Sequence, residues 1–335
     1  MNRAFLNLIT PFATAKQLEK LELSYELGSS TAAAAKLGID RRGVDRAIEA
    51  VIKKATEEGA LMDEPDNLKV LLLDIETAPM LGYFWRLWSE IRGIDQIERD
   101  WYMFSYAYKW LGNEEVYGKS LYECEKYGPY TAGSEDDREL TEDLWTLMND
   151  ADILVAHNGD NFDIKKIKAR MLQHVMIPPA PYRTVDTLKI LKREFGLTSN
   201  KLDYAARFLL GEKEGKLATG GLQLWKDCLA GVKAAWQHML TYNKEDVSIL
   251  EKVYLRVRAW DRSHPNVAVL SGSDERQCTV CGSHDVHIIE DKFAATNVSV
   301  FEAYRCHAPS CGHVMRGRKN QRSKEALRET VLNAR

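Results

Sequence analysis

Four acidic residues in three short motifs are the side chains here best placed to do chemistry. Leu-Leu-Leu-Asp-Ile-Glu-Thr supplies Asp74 and Glu76, His-Asn-Gly-Asp-Asn-Phe-Asp ends at Asp163, and Tyr-Asn-Lys-Glu-Asp sets Tyr242 four residues before Asp246. A buried carboxylate with no partner is very costly, so acids set against apolar runs imply something that pairs with them. Val70 to Leu73 is an apolar run suited to a buried strand, and at period two Asp74 and Glu76 then share one face. Two adjacent carboxylates repel, and a divalent cation is the natural compensation. With Asp163 and Asp246 the set reaches four oxygen ligands, enough for two ions about 3.5–4 Å apart, an arrangement suited to phosphodiester hydrolysis.

In this order, Asp-x-Glu-Thr, Asn-x-x-x-Phe-Asp and Tyr-x-x-x-Asp resemble the DEDD (DnaQ-like) exonuclease superfamily, which includes polymerase proofreading domains. The resemblance covers roughly residues 68 to 262. Each motif alone occurs often by chance; their order and intervals carry the signal. The tyrosine points to the tyrosine branch, because the histidine branch has His five residues before the last Asp. Here that position is Thr241, and His238 lies off register. The resemblance implies an α/β, RNase H-like mixed sheet flanked by helices, with Mg2+ or Mn2+ held by Asp74, Glu76, Asp163 and Asp246. It also implies removal of nucleotides in the 3'-to-5' direction. Tyr242, one helical turn before Asp246, would orient the attacking water; a free tyrosine pKa of about 10 suits positioning more than base catalysis. The family also carries a carboxylate at the position of Asp186 that is not one of the four main ligands, so Asp186 is expected to be structural. The plainer alternative is an acidic strand end, two solvated helix faces and a packing tyrosine.

The elements that must position these residues can be read around them. Met103–Trp110 reads as a second, aromatic-rich strand and Glu114–Tyr122 as a third. Arg138–Asn149 has helical spacing in Leu140, Leu144 and Leu147. Ile153–Ala156 is a short buried strand delivering the second motif, a basic helix follows over Phe162–Gln173, and Thr184–Thr187 is a last short strand. Lys165 and Lys166 on that basic helix are candidates to line a nucleic-acid path. Trp85, Trp88 and Trp101 lie just beyond the first motif, where an aromatic ring can stack on a base, although core packing is the default for a tryptophan.

Four of the six cysteines cluster near the C-terminus as Cys278-x2-Cys281 and Cys306-x4-Cys311, each pair followed by a glycine. Two such pairs around a strand-like segment, Val298–Tyr304, resemble a zinc ribbon. Four thiolates around one Zn2+ make a closed structural site; two disulfides are the alternative, disfavoured in a reducing compartment. His284, His287, His307 and His313 lie close by, but four cysteines already complete a tetrahedron. Cys124 and Cys228 read as small buried hydrophobes.

At the other end, Leu21–Ile48 looks like a helix-turn-helix. Ser30 or Thr31 is the expected cap of the helix containing Ala32–Leu37, Gly38 the turn, and Asp40 the cap of a recognition helix with Val44, Ile48 and Ile52 on one face. Arg41, Arg42 and Arg46 fall near the groove-facing end. A helical hairpin for protein contacts remains open. The final segment, His313–Arg335, has seven Lys or Arg against two Glu, and Arg316, Arg318 and Lys319 are its candidate phosphate contacts; a solvated terminal helix is the alternative. The expected organisation is a helical domain over 1–60, a linker over 61–67, the nuclease-like domain over 68–262, the ribbon over 275–318 and a basic tail over 319–335.

With 335 residues, 45% of them hydrophobic, the chain has room for two to three domains, and a net charge of −3 gives no global nucleic-acid signature. No signal-peptide pattern opens the chain and no stretch approaches the roughly 20 apolar residues of a membrane helix, so a soluble intracellular protein is expected. The combined reading is a metal-dependent 3'-to-5' exonuclease acting on DNA, with replication or repair proteins as possible partners. Such a compact arrangement would suit a phage or mobile-element enzyme. An RNA exonuclease, and a DNA-binding regulator or adaptor with an inactive nuclease domain, stay open as alternatives.

Overall fold

Val70 to Leu73 is apolar at four consecutive positions, and a strand of that kind is stable only when covered on both faces. In the computed structural model, which describes residues 10–27, 29–57, 68–85, 93–211 and 220–332, this run begins the central strand of a five-stranded sheet. In chain order the helices and strands are α1 (Ala15–Glu26), α2 (Ser30–Leu37), α3 (Arg41–Glu57), β1 (Val70–Thr77), β2 (Leu81–Gly82), β3 (Ile97–Arg99), β4 (Met103–Trp110) and β5 (Tyr117–Ser120). Then come α4 (Arg138–Asp150), β6 (Ile153–Ala156), α5 (Asp163–Gln173), β7 (Arg183–Asp186), α6 (Thr187–Glu194), α7 (Leu202–Leu210), α8 (Leu222–Leu229) and α9 (Lys233–Val257). The C-terminal part adds α10 (Val267–Leu270), β8 (Val286–Ala295), β9 (Val300–Cys306), β10 (Val314–Arg316) and α11 (Lys324–Arg328).

Residues Leu68–Pro265 form one compact unit. Its sheet has the order β5-β4-β1-β6-β7. β1 pairs antiparallel with β4 and parallel with β6, and β6 pairs parallel with β7, so the sheet is mixed. Leu71, Leu73 and Ile75, on the β1 face opposite the acids, join one core with Leu140, Leu144 and Met148 of α4 and Ile164, Ile167 and Met171 of α5. Each fully buried leucine there contributes about 1.5–3 kcal/mol. The long helix α9 packs against β1, β4 and β5. The third expected strand is shorter than Glu114–Tyr122: the ladder with β4 covers only Tyr117–Ser120, and a 3-10 turn begins at Leu121.

Leu21, Ala33, Ala34 and Val44 are buried between α1, α2 and α3, and the alanines let α2 approach closely. Gly38 ends α2 at φ +66°, and Asp40 Oδ1 accepts the Arg42 amide at 3.1 Å to cap α3. The cap of α2 is Ser29 rather than Ser30 or Thr31; its Oγ accepts from Ala32 N at 3.2 Å. The Ile52 side chain, the 61–67 linker and Trp88 lie outside the described residues.

In the C-terminal sheet the order is β10-β9-β8, all antiparallel. The strand-like segment expected at Val298–Tyr304 is observed two residues later, as β9. Among the described residues no helix is long and apolar enough to cross a membrane.

Candidate active site

Alternation along β1 decides where the first two acids go. Ile75 is buried, while Asp74 and Glu76 point to the other face, opposite Ala107 and Ser105 of β4. Helix α9 lies against these strands, and its buried positions include Met239, Asn243, Asp246, Val247 and Leu250, the three-to-four spacing of one helix face. Asp246 thereby meets β1: ligand oxygens of Asp74, Glu76 and Asp246 all lie within 4.8 Å of one another. Two like charges at such a separation repel by roughly 3–4 kcal/mol at an effective dielectric constant of about 20. Three converging carboxylates are a hard-oxygen donor set that fits Mg2+, Mn2+ or Ca2+ and not a soft metal.

Asp163 heads α5, is 2% exposed, and reaches the same strand differently. Its Oδ1 accepts the amide of Ile75, between the two acids, at 3.1 Å. It therefore stands beside Asp74 and Glu76 in the β1 backbone register but outside the group of three whose ligand atoms converge. Tyr242, half-buried, is one turn of α9 before Asp246.

The turn that delivers Asp163 explains its motif. Asn158 adopts φ +68°, a left-handed conformation that Asn tolerates better than most residues. Gly159 has its α-carbon so close to Ala156 that a Cβ would stand 2.4 Å from the alanine methyl. Asp186 holds this turn: its Oδ1 accepts both Asn158 N at 2.9 Å and Leu188 N at 3.0 Å, capping α6 and tying β7 to the loop. The same loop is pinned through His157, whose Nε2 lies 3.0 Å from the Asn200 carbonyl and therefore carries the proton. Asp186 thus acts on the backbone of the second motif, not on the carboxylate group.

Two features of the site are not singled out by the sequence motifs, although Asn243 falls at an open position of the third. Asn243 is fully buried, and its Nδ2 donates to Asp74 Oδ2 at 2.6 Å while its Oδ1 accepts from Ser105 Oγ at 3.0 Å. The only sequence signal is a polar residue on the apolar stripe of α9. Second, Asp137, also fully buried, accepts from Met103 N at 2.8 Å, Arg170 Nη2 at 2.7 Å and His174 Nε2 at 2.7 Å. That ion pair clamps α5, and with it Asp163, to the start of β4.

The nucleic-acid candidates divide. Lys165 is exposed with its Nζ 3.4 Å from Asn161 Oδ1, whereas Lys166 Nζ sits 3.5 Å over the Trp101 ring and 5.2 Å from that of Phe162. Burial against these rings pushes the Lys166 ammonium below its ordinary pKa. Trp85 is 92% exposed. Arg41, Arg42 and Arg46 are exposed on α3, but Arg41 is paired with Asp45 at 3.2 Å and Arg46 Nε donates to the Arg42 carbonyl. Arg316 stacks 4.3 Å from the Phe301 ring, and Arg318 and Lys319 are exposed beyond β10.

Cys278, Cys281, Cys306 and Cys311 bring their sulfurs within 4.8 Å of one another, with 3.7 Å between Cys278 and Cys311 and between Cys281 and Cys306. A disulfide requires about 2.05 Å. Tetrahedral sulfur ligation at about 2.3 Å from a zinc ion would set sulfurs roughly 3.8 Å apart, so the thiols fit a four-thiolate site. Gly282 and Gly312 follow each pair at φ +77° and +69°, which keeps each knuckle tight. Two of the nearby histidines are engaged elsewhere: His287 bonds Asp285 and His284 pairs with Glu275. Cys124 and Cys228 are buried in the main core, where desolvation raises both thiols to about 12.

A family model described as RNase H superfamily matches residues 111–258, the stretch that carries Asp163, Asp186, Asn243 and Asp246. Asp74 and Glu76 precede it and are brought to it by the sheet. The chain has no match among curated proteins. Together the matched stretch and the mixed five-stranded sheet define an RNase H-like fold, and such a domain supports nuclease activity with nucleic acid as substrate. RNase H-like nucleases use divalent metals, and the acidic group is where this chain would hold them.

Proposed function

We propose that the protein is a divalent-cation-dependent exonuclease that removes nucleotides from the 3' ends of DNA. The observation that carries this reading is the convergence of Asp74, Glu76 and Asp246 from two distant elements, with Asp163 and Tyr242 beside them. The 3'-to-5' direction rests on the resemblance of the three motifs to the tyrosine branch of the DEDD exonucleases. Asp74, Glu76, Asp246 and Asp163 would hold Mg2+ or Mn2+. When bound, such ions lower the pKa of a water and neutralise charge on the leaving oxygen. Tyr242, one turn from Asp246, would orient that water through its hydroxyl. Asp137 and Arg170 fix the helix that carries Asp163, and Asn158 with Gly159 fixes the turn before it.

The appendages fit positioning roles. The four cysteines would hold one Zn2+ that folds the C-terminal sheet. The N-terminal helices, with Arg41, Arg42 and Arg46, would act as a helix-turn-helix on duplex phosphates. Lys165, Lys166, Arg316, Arg318 and Lys319 would add further contacts.

The test is degradation of end-labelled single-stranded and duplex DNA and RNA with Mg2+, with Mn2+ and with EDTA. Stepwise shortening of 5'-labelled DNA that EDTA stops is the expected result. Shortening confined to RNA would move the substrate to RNA, shortening of only 3'-labelled strands from the 5' end would reverse the direction, and no degradation of any substrate would leave the domain a binding module.

A further inference from the structure

We infer that Asn243, backed by Ser105, is the positioning residue of the cation site: it fixes the orientation of the Asp74 carboxylate before any ion arrives. The inference rests on the metal-dependent reading above and adds a residue to it. Asn243 is 0% exposed and lies on α9 between Tyr242 and Asp246; Ser105 is 0% exposed on β4 in register with Glu76. Three elements therefore meet in one short relay, Ser105 Oγ to Asn243 Oδ1 at 3.0 Å and Asn243 Nδ2 to Asp74 Oδ2 at 2.6 Å. The chemistry of the partners sets the direction of that relay. An ionised carboxylate only accepts, so the amide must turn its NH2 to Asp74 and its oxygen to the serine hydroxyl.

The position asks for a reason. The neighbouring buried positions of α9, Met239, Val247 and Leu250, are apolar. An amide buried there costs about 1–3 kcal/mol unless both of its ends are bonded, and a leucine, which has the same branching, carries no such demand. What the amide supplies and a leucine does not is a donor aimed at one oxygen of Asp74. Carboxylates that ligate metals are commonly held by such hydrogen bonds, and losing one typically weakens metal affinity 10- to 100-fold. Within a group of like charges the donor has a second effect: it withdraws charge from Asp74 Oδ2, so Asp74, Glu76 and Asp246 tolerate one another within 4.8 Å.

The experiment measures Mn2+ binding to the full-length protein by calorimetry or electron paramagnetic resonance, alongside its melting temperature. Mn2+ is a hard cation that the four thiolates do not select. Asn243→Leu is expected to bind Mn2+ 10- to 100-fold more weakly, Ser105→Ala a few-fold more weakly, with both proteins folded. A purely structural role would instead lower the melting temperature and leave the Mn2+ affinity of the folded protein unchanged. Asp74→Ala separates the inference from the reading beneath it. If Asp74→Ala binds Mn2+ as the wild type does, the carboxylates are not the cation site. If Asp74→Ala loses binding while Asn243→Leu and Ser105→Ala keep wild-type affinity, only the positioning role of Asn243 is overturned.

Discussion

Among the described residues two clusters of side chains could hold a metal ion, and they are built in opposite ways. The four cysteines come from a short stretch of chain, two tight knuckles joined by a hairpin, and their sulfurs lie within 4.8 Å of one another, close to the spacing of a tetrahedral shell. The carboxylates come from β1, α5 and α9, elements spread over most of the Leu68–Pro265 unit. Only three of them converge, and the fourth is held by a backbone amide of β1. A closed tetrahedral shell organises a chain segment; an oxygen cluster with fewer protein ligands than a hard cation's six or more leaves positions for water and substrate. On the proposed function, the contrast separates a structural site from one built for turnover.

The largest expected effect breaks the open site. Asp74→Ala should lower the hydrolysis rate by at least about 10³-fold, since it removes several kcal/mol of charge stabilisation supplied through its ion. The melting temperature of the metal-free protein should change little, because the loss of a repelling charge is offset by the Asn243 amide left without its acceptor. Wild-type turnover by Asp74→Ala on every substrate would remove the carboxylates from the chemistry.

The closed site should respond in the reverse sense. One zinc per chain should copurify, and Cys278→Ser should release it and unfold β8–β10 while the separate nuclease unit keeps its own melting transition. Thiol titration of the native protein sharpens this. Cys124 and Cys228, with thiols raised to about 12 by burial, stay protonated at pH 8 and should not be alkylated until the core unfolds. Six reactive thiols and no zinc in the native protein would refute both statements.

Tyr242→Phe is the intermediate case. It keeps every carboxylate and should lower the rate on the order of 10²-fold by misplacing the attacking water, with substrate affinity nearly unchanged; a variant that mainly loses affinity would make the tyrosine a binding group. The smallest effect belongs to the exposed arginines. Replacing Arg41, Arg42 and Arg46 together with Ala should leave the rate at saturating substrate unchanged. It should reduce the salt dependence of duplex binding by up to roughly 0.9 in slope per lost phosphate contact. Arg41, already paired with Asp45, should contribute least of the three.

Strands that are apolar, or aromatic and alternating, are legible in their residues alone: β4 spans Met103–Trp110 and β6 spans Ile153–Ala156, as their side chains suggest. Elements without such a signature are not. β8 is interrupted by Glu290, Asp291 and Lys292, and its register with β9 shifts there, with Asp291 at φ +58°. A bulge that carries charges erases the alternation that marks a strand. The short β2–β3 pair leaves Leu81 and Ile97 exposed, so no buried face patterned it.

Local sequence determined which residues could be ligands. An acid after an apolar run, a Tyr and an Asp one helical turn apart, and cysteines two to four residues apart are short-range facts, set by the periods of strand and helix and by the reach of a turn. Tertiary structure decided which of them meet and what holds them. Glu135, Asp136 and Asp137 are adjacent acids that nothing local distinguishes, yet only Asp137 is buried, because Arg170 and His174 of a different element face it. Asn243 looks like any helix asparagine until β1 and β4 bring Asp74 and Ser105 to its two ends. The cost of burying a polar group depends on partners far away in the chain, and only the folded sheet and the helix across it specify who those partners are.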